Sequence, residues 1–402
     1  MTSQQTSTAA RFPGSKAEFI ALIAGIMSMA ALAIDIMLPA LDAIGADFVL
    51  KDQKQQQFVI LSFFLGLGVA QIFVGPLADR IGRRKILIVS LGLYSLCAFA
   101  AVFAPSFELV ILSRALQGAA SAGGRILVNA IIRDLYEGRT MARILSIAQI
   151  AFITIPIIAP LLGSGLLLIG PWRGIFLFIG VFGLFYMAWV TLRLPETQQP
   201  TGLGGWSSLK IAAKDRTLIV CSVAAGLIGT GLVVYLSNVA QIISDVYGRP
   251  GLLAFCFAIT ASIMGLCAFT SSKLVGRFGM RRLASVAILI FTATSGTMTL
   301  FALSALPPLW LFLLAQSVIL SCYIVVQANL TALGLEKLGH VAGSASSLFG
   351  TISTLLAVLV AGFIGQNVEG GLGIFYGGVF FAGSGALLVV FAARLSSPAS
   401  SR

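Results

Sequence analysis

The chain has 402 residues, 58% of them hydrophobic and only 10% charged, with a formal net charge of +12. A soluble chain of this length would carry about 25% charged residues, so the composition is that of a polytopic membrane protein. The positive charge does not point to nucleic acid, because the cations form short clusters between apolar runs, with no basic domain and no stacking platform. Cys97, Cys221, Cys256, Cys267 and Cys322 lie in or beside apolar runs at irregular spacings. Neither a disulfide framework nor a zinc pattern emerges, and packing as small apolar residues is the expected role. The lone His340 cannot anchor a metal by itself.

In chain order, residues 1–16 are rich in Ser, Thr and Gln and are predicted to form a disordered N-tail. Within the first apolar run, Ala31-Leu32-Ala33 could pass for a signal-peptidase site, yet the run continues to Leu41 and is read as an uncleaved first helix. Bilayer-length spans are predicted at 17–42, 56–78, 84–104, 107–132, 142–169, 172–193, 217–243, 251–273, 282–304, 308–333, 342–366 and 371–394. The expected fold is therefore all-α with twelve transmembrane helices and both termini on one side. Of the 26 Lys and Arg residues, twenty fall in the tails and loops of that side. Four (Lys51, Lys54, Arg173, Arg249) fall in the opposite loops, and two (Arg114, Arg125) fall inside a span. This bias places both termini in the cytoplasm.

The longest connection, 194–216, is rich in Pro and Gly and then basic, and divides a six-helix bundle at 17–193 from a second at 217–394, followed by a C-tail at 395–402. The stretch Gly75–Lys85 holds four cations, one carboxylate, two glycines and Pro76 between two spans. Its charge keeps it in water on the cytoplasmic side, and Asp79 is a candidate latch point among Arg80, Arg83, Arg84 and Lys85. Arg80-Ile81-Gly82-Arg83-Arg84 is echoed by Arg277-Phe278-Gly279-Met280-Arg281 after the eighth span. Six helices per half with an internal echo is a pattern of secondary transporters.

Gly75–Lys85 resembles the G-x-L-A-D-R-x-G-R-R/K motif between helices 2 and 3 of the major facilitator superfamily, with Gly75, Asp79, Arg80, Gly82, Arg83 and Arg84 in place. Leu112–Gly118 is similar to the helix 4 motif of its drug/proton antiporters. Asp35–Leu41, Ile132–Tyr136 and Ala342–Leu348 together resemble the Bcr/CflA branch, whose members export bicyclomycin, chloramphenicol-type drugs and other small molecules. The helix 5 antiporter motif departs from its usual Gly-Pro-x-x-Gly-Gly: it reads Ala159-Pro160-Leu161-Leu162-Gly163-Ser164, keeping Pro160 and Gly163, with Pro156 one turn earlier. Asp79 and Gly75 are matched in the second half by Gly276 and Ser272, so that copy has no acid. Where many relatives carry an arginine near the end of helix 4, this chain has Asn129, with Arg125 one turn earlier.

Asp35 is the only carboxylate well inside a predicted span, and acids at membrane depth are costly and usually functional. The competing reading is a packing role near the outer end of its helix. Arg114 sits at a similar depth, and in the resembled fold both helices line the central cavity. An Asp35–Arg114 pair, opened by one ligand and closed by another, is what exchange of proton for substrate requires; the alternative is a static ion pair or an arginine bound to carbonyls. Gln117, one turn on, orients Arg114 or touches substrate. Arg125 joins an inner pocket or snorkels to the interface. Met37, Tyr235, Asn238 and Gln241, with Tyr323 and Gln327, are expected to line the cavity, with interhelical hydrogen bonding as the alternative for the polar groups. No G-x-x-x-x-G-K-[ST] run is present, so ATP is not the expected energy source and the energy comes from an ion gradient or from the substrate's own; the antiporter resemblance implies a proton gradient, with no cofactor. The resulting expectation is a monomeric, non-enzymatic multidrug exporter of the bacterial inner membrane, taking up protons as it extrudes small lipophilic molecules. The alternative is an exporter or uniporter of an endogenous metabolite such as an amino acid, sugar or nucleoside.

Overall fold

The computed structural model describes residues 12–197, 205–367 and 371–395, and the outer parts of both predicted tails lie outside these ranges. Twelve helices of 20 residues or more fill it, and we number them in chain order. The first six are α1 (Lys16–Asp35), α2 (Phe58–Ile81), α3 (Arg83–Val102), α4 (Phe107–Leu135), α5 (Gly138–Ile169) and α6 (Arg173–Arg193). The second six are α7 (Arg216–Gln241), α8 (Leu253–Phe278), α9 (Met280–Ser304), α10 (Leu309–Leu335), α11 (Ala342–Gln366) and α12 (Leu372–Leu395). Among the described residues, ten spans are long and apolar enough to cross a membrane. One of the helices outside that set, α4, carries Arg114 and Arg125 in its interior, which lowers its apolar character.

The first predicted span is not one helix. α1 stops at Asp35, a short 3-10 turn follows at Leu38–Ala40, and a second helix runs from Leu41 to Asp47. Pro39 explains the break, because its ring has no N–H to give the Asp35 carbonyl and clashes with it in a continuous helix. The predicted linker is also more than a loop: Gly205–Lys214 is helical. Ser208 and Ala212, one turn apart, are buried, and the ring of Trp206 meets Phe73 of α2 edge-on at 6.1 Å. This short helix lies against both α2 and α11. Asp215 then caps α7, accepting from the Leu218 N–H at 2.8 Å.

The packing repeats between halves. In the first half α2 packs on α4, α3 on α4 and α6, and α1 on α5. Six helices later the same partners recur: α8 on α10, α9 on α10 and α12, and α7 on α11. Two crossings join the halves, α2 on α11 and α5 on α8. The echoed turns match in backbone as well. Gly82 (φ +116°) and Gly279 (φ +76°) each end one helix and start the next in a conformation that favours glycine. Their N–H groups return to Ala78 and Val275 carbonyls at 3.0 and 2.9 Å.

Glycine sets how closely the helices approach. A Cβ at Gly66 would strike the Ala115 carbonyl, and one at Gly118 the Phe63 carbonyl, so α2 and α4 lie backbone to backbone. Along the α2–α11 crossing, Gln57 lies against Gly365, Leu355 against Gly68, Gln71 against Gly350 and Ser347 against Gly75. Side chains on one helix thus meet glycines on the other along the contact.

The end of the molecule that carries the two basic turns is called here the basic end. At the opposite end the halves are closed. The Gln241 amide donates to the Gln53 carbonyl at 2.6 Å, and Lys54 Nζ donates to the Gln366 carbonyl at 3.0 Å. α1 from Leu32 to Asp35 and α7 from Val233 to Ala240 are buried without interruption. Toward the basic end the seam opens. No residue of α8 from Ser262 to Phe278 is buried, and Arg125 on α4 is exposed although Arg114, on the same face, is buried. Replacing Gly118 by Leu should force α2 away from α4 at a cost of about 1–3 kcal/mol, seen as a lower melting temperature of the purified protein, whereas Gly165→Leu, which meets no neighbour, should leave it unchanged.

Candidate functional site

Asp35 terminates α1 at the closed end, 4% exposed. Among the described residues its side chain makes no ion pair and no hydrogen bond. It lies within electrostatic reach of Tyr235 on α7, which belongs to the other half. The backbone beside it is held by the helix 5 motif: a Cβ at Gly163 would strike the Ile36 carbonyl and approach Pro39 Cγ at 2.9 Å. Only glycine lets α5 lie this close to the end of α1. Pro39 ends the helix, Gly163 seats it, and the carboxylate is left at the meeting of the halves.

Arg114 is fully buried on α4 and is engaged elsewhere. Its Nε donates to the Val59 carbonyl at 3.0 Å and its Nη1 to Gln117 Oε1 at 2.8 Å. The guanidinium also lies over the Phe63 ring at 4.5 Å from the centroid and near Phe176 at 5.9 Å. Its remaining nitrogen, Nη2, is buried without a partner. Thus Gln117 does hold Arg114, while Asp35 and Arg114 are not joined in this conformation. A guanidinium oriented by a carbonyl, an amide and an aromatic face is positioned without a counter-ion.

The other cavity candidates divide into two levels. Near the closed end, Met37 and Tyr235 are both fully buried, and the Tyr235 ring stacks on Phe257 at 5.7 Å. Asn238 is buried and donates to the Val234 carbonyl at 2.9 Å and to Ser237 Oγ at 2.9 Å. Gln241 is spent on closing the halves, as described above. Toward the basic end, Arg125 is exposed and lies within electrostatic reach of the half-buried Tyr323 of α10, with Gln327 one turn on. Gln316, also on α10, is buried with both amide atoms unpartnered. Pro156 and Pro160 lie inside α5, which runs unbroken from Gly138 to Ile169.

At the basic end the turn Gly75–Lys85 is tied chiefly to its own half. Arg83 pairs with Asp134 of α4 and also donates to the Ala130 carbonyl at 3.1 Å. Arg84 donates to the Thr191 carbonyl of α6 at 2.6 Å, and Arg80 is exposed. Asp79 lies within electrostatic reach of Arg83 and Arg133. Across the halves, Gly75 meets Ser347 and Gly343 at the start of α11.

One residue of this cluster was not foreseen. Glu196, just beyond α6, accepts from the Arg83 and Arg84 N–H groups at 2.9 and 3.3 Å and so caps α3. A carboxylate at a helix N-terminus satisfies orphan donors and the helix dipole together. Nothing in the local sequence signals it, because donor and acceptor are 113 residues apart.

Stacked apolar helices in two repeating halves are the architecture of a multi-pass membrane transporter, a class of protein that is not enzymatic. The sequence profile described as Major Facilitator Superfamily matches residues 20–361, and the chain belongs to that family. Its family implies a small-molecule substrate and coupling to protons or other ions. An uncharacterized MFS-type transporter of Bacillus subtilis, YdgK, is 29% identical over 366 residues, covering 87% of this chain and 89% of that protein. A bicyclomycin resistance protein homolog of Haemophilus influenzae is 25% identical, covering 87% and 89%. The multidrug resistance protein MdtL of a Shewanella species is 25% identical, covering 83% and 85%. Among solved structures, a D-xylose-proton symporter superposes with a TM-score of 0.73 at 13% identity, covering 93% of this chain and 96% of its own. At that identity the likeness speaks for the fold alone.

Glu196→Ala should uncap α3 at a cost of about 1 kcal/mol, read as faster hydrogen exchange at the Arg83 and Arg84 amides with the far-end amides unchanged.

Proposed function

We propose that the protein is a proton-coupled exporter of small lipophilic molecules, with all twelve long helices crossing the bacterial inner membrane and both termini in the cytoplasm. The positive-inside distribution supports that orientation, because the basic end then faces the cytoplasm. On this reading the conformation described above is open to the cytoplasm and closed to the outside.

The observation that carries the mechanism is the bare carboxylate of Asp35 at the closed end of the seam. An ionised carboxylate without a cation is costly in such surroundings, so the group is suited to being held protonated here and ionised when the seam opens outward. Its neighbours across the seam, on α7, move relative to α1 when the halves rock. Arg114, held by Val59, Phe63 and Gln117, supplies a fixed positive charge that a deprotonated Asp35 can approach in another conformation. Substrate enters between α4 and α10 from the open end, and relatives named for drug resistance support small lipophilic molecules as cargo.

The turn at Asp79 is proposed as the gate of the basic end. In this conformation Arg83 and Arg84 bind their own half; in the outward-open state Asp79 latches the start of α11. Asp79→Asn should therefore enrich the cytoplasm-open state, measured as greater reactivity of a cysteine placed at Asn129. Unchanged reactivity would remove Asp79 from the gate.

For the coupling, Asp35→Asn protein in vesicles should lose uphill export of a neutral drug while keeping downhill exchange. Uphill export equal to wild type would exclude Asp35 as the proton carrier. If overexpression raises resistance to no drug in a broad panel, an endogenous metabolite becomes the cargo.

A further inference from the structure

Arg125 is a cation inside α4 with no counter-ion among the described residues. Among the described residues it forms no ion pair and no hydrogen bond. It lies eight residues before Arg133, which already occupies the last turn of α4, so about 12 Å of helix at 1.5 Å per residue separates it from that end.

Its direction follows from its neighbours. A Cβ at Gly123 would meet Ser90 of α3, and one at Gly124 would meet Ile26 of α1. Arg125, a further 100° round the helix, turns away from α3. It lies on the face of Arg114, three turns earlier, and unlike Arg114 it is exposed. Tyr323 of α10 stands opposite, within electrostatic reach. Its ring lies 3.7 Å from the position a Cβ would take at Gly229 of α7. The Tyr323 hydroxyl makes no hydrogen bond among the described residues.

The seam offers Arg125 no acid. Apart from Asp35, every described Asp or Glu lies in a terminal turn of a long helix or in a connection. The interior of the transport path therefore holds two arginines against one carboxylate. One arginine, Arg114, is bound to the protein, and the other faces open space.

We propose that Arg125 and Tyr323 form an anion subsite that receives a carboxylate of the transported molecule. The cargo would then be carboxylate-bearing amphiphiles, anionic or zwitterionic, in preference to lipophilic cations. A guanidinium offers a carboxylate two parallel N–H donors, and a phenol hydroxyl adds a third. A lipophilic cation meets an unpaired like charge in the same place, which discriminates against it. This inference rests on the exporter reading, since it names the chemistry of that exporter's cargo.

A matched pair of dyes tests it. Rhodamine 110 carries a free carboxyl group, and rhodamine 123 is its methyl ester and a net cation. Chloramphenicol, which is neutral, serves as the control. Binding to the purified full-length protein should favour rhodamine 110 by about tenfold, equivalent to 1.4 kcal/mol. Arg125→Gln should abolish that preference, Arg125→Lys should keep part of it, and Tyr323→Phe should reduce it a few-fold. The melting temperature of Arg125→Gln should equal that of the wild type, which shows that the variant folds. Equal affinity for the two dyes, a preference for the ester, or a preference that survives Arg125→Gln would overturn the subsite. If chloramphenicol binds and is exported while rhodamine 110 does not bind, the subsite fails and the exporter reading stands. If none of the three binds, both fail.

Discussion

The proposed mechanism depends on one constraint: a single carboxylate, Asp35, is kept at the junction of two bundles with no cation paired to it among the described residues. Pro39 forbids α1 from continuing and leaves Asp35 as its last residue. Gly163 then brings α5 against the Ile36 carbonyl, which fixes the end of α1 from the first half. Tyr235 faces it from the second. A charge in that position cannot be indifferent to the relative placement of the halves, because its hydration depends on whether they are shut. In the proposed mechanism that dependence is what would link a proton to a conformational change, without any direct contact between proton and cargo. Arg114 contributes by being held elsewhere: fixed by a carbonyl, an amide and two rings, it does not neutralise Asp35 in the closed-end conformation.

The halves themselves are joined by contacts suited to sliding. Along α2 and α11 the interlocking is between glycines and larger residues, with few directional bonds. The amides of Gln57 and Gln71 are buried there with unpartnered atoms, which lowers the cost of exchanging one arrangement for another. Within each half the opposite holds. α2 and α4 meet backbone to backbone, and Arg83, Arg84, Asp134 and Glu196 bind the ends of α2, α3, α4 and α6 into one unit. The second half repeats the turn at Gly279 but carries Gly276 where Asp79 stands, and among the described residues no ion pair ties that turn.

The helices were legible in the sequence because each is a long apolar run bounded by charge or glycine; the eleventh span, 342–366, coincides with α11. The echo of the two basic turns was equally legible, since it depends on a glycine that the backbone requires at both places. Partners far apart in the chain were not. Glu196 acts on α3 from 113 residues away, and Arg114 spends itself on the Val59 carbonyl and two aromatic rings, none of which a charge pattern reveals. An arginine and an aspartate at similar depth invite pairing on paper, whereas in this conformation Arg114 is held by the Val59 carbonyl and Gln117. The helix at Gly205–Lys214 was hidden by the glycines and prolines around it, and it forms because Ser208 and Ala212 find a surface on α2 and α11.

The central claim is that cargo binding and the proton on Asp35 are linked. It is tested most directly by adding a transported drug to purified protein in unbuffered solution and recording proton release with a pH dye. The wild type should release about one proton per bound drug, and Asp35→Asn should bind the drug and release none. Equal release from both proteins, or binding by the wild type with no release at any pH between 6 and 8, would contradict the account.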